Sequence, residues 1–121
     1  MPHVSTIGQQ IVTQLGDSGF DVTGRLAERH GCWEIRFQRR SHERPLRLLV
    51  ALEVDSSTQT PGRIHIESYA MVDEVGHTHR RLVSYATMSA DADLEKDFGA
   101  KLVGDLQRAT SDALPSVAGG G

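Results

Sequence analysis

The spacing of apolar residues predicts one helix near each end of the chain. An apolar side chain recurs every three or four positions from Val4 to Leu15, which is the repeat of one helix face. This repeat predicts a first helix over about 6–15. The same spacing returns from Leu94 to Leu106 and predicts a second, longer helix over about 91–113.

Five segments between the helices alternate between apolar and polar residues, which is the period of a half-buried strand. The alternation is clearest at Trp33, Ile35 and Phe37, with charged or polar residues between them. The predicted strands are 20–26, 33–38, 46–54, 64–72 and 79–88. Their connections are too short for crossover helices, so the sheet should be an antiparallel meander. The predicted fold class is α+β, with both helices on one sheet face.

The face of the sheet away from the helices is predicted to be unusually apolar. If Ile64, Ile66 and Leu82 point inward, the opposite face takes the alternate residues of the last two strands, and the central strand adds Leu49 and Ala51. Tyrosine, methionine and arginine side chains together are typical of protein interfaces. The residues predicted to form a protein interface are Tyr69, Met71, Arg81, Val83 and Tyr85. Self-association is the commonest form of such a contact, so we expect a homodimer.

Composition limits the class of protein. The 121 residues with a net charge of −3 predict a single domain over 1–115 and a flexible Gly-rich tail over 116–121. The lone cysteine, Cys32, cannot form an internal disulfide, and the N-terminus does not resemble a signal peptide, so we expect a cytoplasmic protein. No apolar run approaches the ~20 residues that span a membrane.

An arginine-rich segment is a second candidate contact. Arg39, Arg40, Arg44 and Arg47 lie within nine residues, whereas the last helix is acidic. This asymmetry predicts a charge-steered contact with an acidic protein partner, and nucleic acid is the alternative. Aromatic side chains for base stacking are sparse in this segment, and the sequence holds no known DNA- or RNA-binding signature.

Candidate chemical sites are isolated residues rather than constellations. His77 and His79 share a strand face but lack a well-placed third metal ligand, and Cys32 lies near His30 without the local signature of a cysteine hydrolase. Glu53 and Glu67 are single carboxylates. We therefore predict no catalytic residues, no metal and no cofactor.

Two further features predict close packing of the last helix on the sheet. Gly99 and Gly104 interrupt that helix, and small residues stand on the facing strands, namely Ser68, Ala70, Ser84 and Ala86.

The order and size of these elements resemble those of the bacterial type III secretion chaperones. Those proteins are α+β homodimers that bind an extended segment of a partner protein, so the resemblance implies a protein-binding role. The family has a helix between its third and fourth strands, for which residues 55–63 are too few and too rich in Pro and Gly.

The predicted function is non-enzymatic protein binding, as an adaptor, inhibitor or chaperone-like module that uses the outer sheet face and the arginine-rich segment. One alternative is a small-molecule-binding protein or enzyme with a pocket between sheet and helices. The other alternative is a nucleic-acid contact through the segment Arg39–Arg47.

Overall fold

A computed structural model of the protein describes residues 4–29, 32–40, 46–55 and 62–113. The elements are helix α1 (Val4–Asp17), strands β1 (Phe20–Arg29), β2 (Cys32–Arg39), β3 (Arg47–Val54), β4 (Arg63–Glu74) and β5 (His77–Ser89), and helix α2 (Phe98–Ala113). The strands form one sheet in the order β1-β2-β3-β4-β5, and each neighbouring pair is antiparallel. The predicted α+β meander is confirmed. The predicted tail 116–121 lies outside the described residues.

Both helices cover the same face of the sheet, as predicted. Helix α1 lies on β1, β2 and β3, and α2 lies on β4 and β5. The repeat that predicted α1 is the buried face of that helix, formed by Val4, Ile7, Ile11 and Leu15. Gly8 lets this helix approach the sheet, because a Cβ atom there would lie 3.4 Å from methyl groups of both Ile35 and Leu52. The core therefore lies between one layer of helices and one layer of strands.

Helix α2 begins at Phe98, so the prediction that it begins near residue 91 is wrong. Leu94 is buried as its spacing suggested, but it lies in an irregular segment before the helix. Two glutamines of α1 hold this segment. The Leu94 N–H donates to Gln10 Oε1 at 2.9 Å, and the Gly99 N–H donates to Gln14 Oε1 at 2.7 Å. Side chains from α1 thus satisfy one backbone donor in the segment before α2 and one in the first turn of α2, where no intrahelical acceptor exists.

The two glycines of α2 do not mark an approach to the sheet, as the sequence had suggested. A Cβ atom on Gly99 would lie 2.8 Å from Gln14 Cβ, so Gly99 allows contact between the two helices. The nearest atom to a Cβ on Gly104 would be the guanidinium of Arg108, at 3.6 Å. Gly104 therefore has no close neighbour that explains it.

A β-bulge in β5 reverses part of the predicted alternation. Ser68 pairs with Ser84, but Tyr69 pairs with Leu82, so Val83 is an extra residue in β5. Val83 packs against the helix-side core. Leu82 consequently lies on the outer face, where its side chain is 54% exposed, and the prediction that Leu82 points inward and Val83 outward is wrong.

The bulge also moves the arginines of β5. Arg81 pairs with Ala70, a core residue, and Arg80 pairs with Met71. The prediction that Arg81 belongs to the outer face is therefore wrong, and Arg80 takes that place. A second bulge at Thr23 places Arg25 opposite the buried Ile35, whereas regular alternation from Asp21 would place Arg25 on the outer face.

Candidate functional site

The outer face is defined here as the side of the sheet opposite the helices. Strand register arranges its residues in rows across the sheet. One row runs from Arg36 through Leu49 and Tyr69 to Leu82, and the next holds Glu34, Ala51, Glu67 and Tyr85. Flanking positions are held by Gln38, Arg47, Glu53, His65, Met71, Arg80 and Thr87. Among the predicted interface residues, the structure brings together Tyr69, Met71 and Tyr85 on this face.

The centre of the outer face is closed by the chain's own side chains. Leu49 is fully buried, yet it does not belong to the core cluster beneath the helices. Its neighbours across the strands are Arg36 and Tyr69. The Arg80 guanidinium lies over the Tyr69 ring, 5.7 Å from the ring centroid, and 3.8 Å from a carboxylate oxygen of Glu34. Long polar and aromatic side chains thus cover Leu49 in place of helices.

Exposed apolar surface lies on β5 instead. Leu82 is 54% exposed and Tyr85 is 57% exposed. The remaining large hydrophobic side chain that is exposed in the described part of the chain is Val75, in the turn between β4 and β5. Leu82 and Tyr85 therefore form the exposed apolar part of the outer face.

Tyr85 is held by a hydrogen-bonded chain of three residues. Its hydroxyl lies 2.6 Å from His65 Nδ1, and His65 Nε2 lies 3.1 Å from a carboxylate oxygen of Asp55. The His65 and Tyr85 rings are stacked with centroids 5.9 Å apart. With the neutral Nε2–H tautomer, His65 would donate to Asp55 and Nδ1 would accept the tyrosine O–H. The chain fixes the orientation of the Tyr85 ring.

Tyr69 is also fixed, by a different partner. Its hydroxyl donates to Glu67 Oε2 at 3.0 Å. Burial raises the pKa of Tyr69, and the hydrogen bond to the Glu67 carboxylate raises it further. The tyrosine therefore stays protonated and remains a donor near neutral pH.

A groove of about 310 Å³ lies on the outer face beside the bulge of β1. Its lining includes Thr23, Gly24, Arg36, Gln38 and Met71. Gly24 leaves this position without a side chain, and only the Arg36 stem lies within 4.0 Å of where a Cβ would stand. The alternation of apolar and polar residues does not predict the groove, because the groove arises from a bulge in β1.

The three described arginines of the arginine-rich segment make contacts within the chain. The Arg39 guanidinium lies 5.9 Å from the centroid of the Phe20 ring. Arg40 donates to both carboxylate oxygens of Asp21. Arg47 lies 2.5 Å from Asp73. Arg44 lies outside the described residues.

These ion pairs shift the pKa values of the carboxyl groups. The hydrogen bond from Arg40 lowers the pKa of Asp21. Hydrogen bonds from Thr78 and then from Arg47 lower the pKa of Asp73. Both carboxylates remain charged at neutral pH and neutralise part of the predicted basic cluster.

The candidate chemical residues are not assembled into a site. Within the described ranges, no group of three His, Cys, Asp or Glu side chains could hold a metal ion. The rings of His77 and His79 are 6.2 Å apart. Burial raises the pKa of the Cys32 thiol, and the nearby carboxylates of Glu53 and Glu34 raise it further, which disfavours the nucleophilic thiolate. His30 lies outside the described residues.

The space between sheet and helices is mostly filled around the small residues of β4 and β5. Ser68 and Ala70 are fully buried, and the Ser68 hydroxyl has no hydrogen-bond partner among the described residues. Ala86 lines a groove of about 110 Å³ together with Leu94 and Phe98. The alternative of a ligand-binding protein requires a pocket between sheet and helices, and this groove is the feature that most resembles one.

Comparisons with known proteins found no similar family. No protein-family model matches the chain, and neither the curated proteins nor the solved structures include a match. Neither helix in the described part of the chain is long and apolar enough to cross a membrane.

Proposed function

We propose that the protein is a non-enzymatic, cytoplasmic protein-binding module whose binding surface is the outer face of the sheet. The observation that supports this most is the exposure of Leu82 and Tyr85, 54% and 57%, side by side on β5. The described helix-side apolar residues of the sheet are buried or partly buried by contrast. Exposed apolar side chains in a rim of polar groups are typical of protein contact sites.

The rigidity of the outer face supports the same role. His65 and Asp55 hold the Tyr85 ring, and Arg80 and Glu67 hold Tyr69. Side chains that are already ordered lose less conformational entropy when a partner binds. Tyrosine and arginine are also the residue types that most often dominate binding energy. The outer face thus combines exposed anchors with a fixed geometry.

The arginine-rich segment supports a second contact less strongly. Arg39, Arg40 and Arg47 already contact Phe20, Asp21 and Asp73, so a partner must compete with these contacts. The same competition weakens the alternative of nucleic-acid binding. A homodimer is the form of protein contact that we favour, and a chaperone-like, adaptor or inhibitor role agrees with it.

Site-specific photo-cross-linking in producing cells tests this proposal. A benzoylphenylalanine at position 82 should give a covalent protein adduct, whereas the same group at Lys101, exposed on α2, should not. Excess wild-type protein should suppress an adduct with a different protein and should itself be captured in an adduct between two copies, whereas excess Tyr85→Glu protein should do neither. An adduct that is equal at both positions, or no adduct at position 82, would refute the proposal.

A further inference from the structure

Besides the paired Glu34 and Arg80, the outer face carries two side chains of opposite charge that stand on the two sides of its central strand. Arg36 lies on β2, in the row of Leu49, and Glu67 lies on β4, in the row of Ala51. Neither side chain has an ion-pair partner in the described part of the chain. The midpoint between them falls between Leu49 and Ala51, at the centre of the face.

We propose that a second copy of this chain binds the outer face, with Arg36 of each copy against Glu67 of the other. This inference rests on the proposed binding role of that face. Consider two sheets stacked through their outer faces, with a two-fold axis in the plane between them. The axis passes over the central midpoint and is perpendicular to the line from Arg36 to Glu67. It exchanges the β2 side of one copy with the β4 side of its partner. One axis therefore forms two identical ion pairs, as a self-complementary interface requires.

The same axis also explains the exposed apolar residues. On an ideal lattice, with strands about 4.8 Å apart and residues about 3.3 Å apart, it places Tyr85 of one copy between Gly24 and Gln38 of the other. It places Leu82 over Arg47. Gly24, Gln38 and Arg47 line the groove of about 310 Å³. The two exposed side chains of each copy thus meet the groove of the partner.

Pairing through the free edge of β5 is the competing arrangement for a second copy. The bulge at Val83 lies in the middle of β5, and it interrupts the regular ladder that an added strand would need. Edge pairing would also leave Arg36 and Glu67 without a partner. The structure therefore favours face-to-face packing over extension of the sheet.

Charge exchange tests this arrangement on the purified, full-length chain. Arg36→Glu alone and Glu67→Arg alone each create two repulsive contacts. At about tenfold for each contact, the dissociation constant of the homodimer should rise about 100-fold. A mixture of the two variants, or both changes in one chain, should restore the wild-type dissociation constant. Arg81→Glu, an equal change of charge on the helix side of the sheet, should leave the dissociation constant unchanged.

Each outcome of the charge exchange is decisive. Circular dichroism first confirms that each variant is folded, and the double variant keeps the test valid if a single variant is not. The arrangement would be overturned if the single variants dimerise like the wild type. It would also be overturned if the mixture and the double variant both stay monomeric. A monomeric wild type would also overturn it. In that case an adduct with a different protein at position 82 would leave the proposed function standing.

Discussion

The contact between α1 and α2 depends on the missing side chain of Gly99. An alanine Cβ there would lie 2.8 Å from Gln14 Cβ and 3.2 Å from the Gln14 carbonyl carbon. Both atoms belong to the rigid part of α1, so one helix must move. Overpacking of this kind costs about 1–3 kcal/mol, and the higher helix propensity of alanine offsets up to ~1 kcal/mol of it. Gly99→Ala should therefore lower the free energy of unfolding by about 0.5–2 kcal/mol.

Gly104 supplies the matched control in the same helix. The nearest atom to an added Cβ is the flexible end of Arg108, at an ordinary distance of 3.6 Å. Gly104→Ala should then raise the free energy of unfolding by about 0.5–1 kcal/mol. Urea unfolding followed by circular dichroism measures both variants. Equal stability of the Gly99→Ala and Gly104→Ala proteins would refute the packing of α2 against α1.

Three further predictions concern single residues. The hydrogen bond from Thr78 lowers the pKa of Asp73 below its ordinary 3.8. The charged Asp73 carboxylate therefore stabilises the folded state above that pH, and this stabilisation is lost as the pH falls through the lowered pKa. Asp73→Asn should thus be less stable than wild type at neutral pH, with the difference vanishing in acid-denaturation curves at low pH. Val75 has a φ of 26° beside Gly76 at 87°, so Val75→Asn should raise the thermal midpoint by favouring this turn; an unchanged or lower midpoint argues against the turn. Burial raises the pKa of Cys32, so iodoacetamide should alkylate the native protein more slowly than the urea-unfolded chain at mildly alkaline pH.

The type and order of the elements were predictable because they rest on long periodic patterns. Helix α1 keeps one apolar face from Val4 to Leu15, and short connections allow only an antiparallel meander. The start of α2 was not predictable, because Leu94 continues the helical spacing while Gln10 of another helix holds its backbone. A contact across 84 residues leaves no local signal in the sequence.

The composition of the outer face was predictable, but its geometry was not. A bulge turns Leu82 to the outer face and Val83 toward the core. Because both residues are apolar, the pattern of the sequence does not reveal the change. Closure of the face over Leu49 depends on Arg80 reaching across β4 and β3 to Glu34, which only the register of the strands reveals. The same holds for the link between Asp55 and His65, which belong to opposite ends of the β3–β4 connection.

Sedimentation equilibrium of the purified wild-type chain is the experiment that tests whether a second copy binds the outer face. A chain of 13.2 kDa that binds itself through the outer face should show a mass that rises with concentration toward twice this value. Leu82→Arg, which places a positive charge on the exposed apolar part of the face and over Arg47 of the partner, should remain at 13.2 kDa over the same range. Self-association through the outer face would be contradicted by a wild type that stays at 13.2 kDa at the highest soluble concentration, or by a Leu82→Arg protein that dimerises equally well.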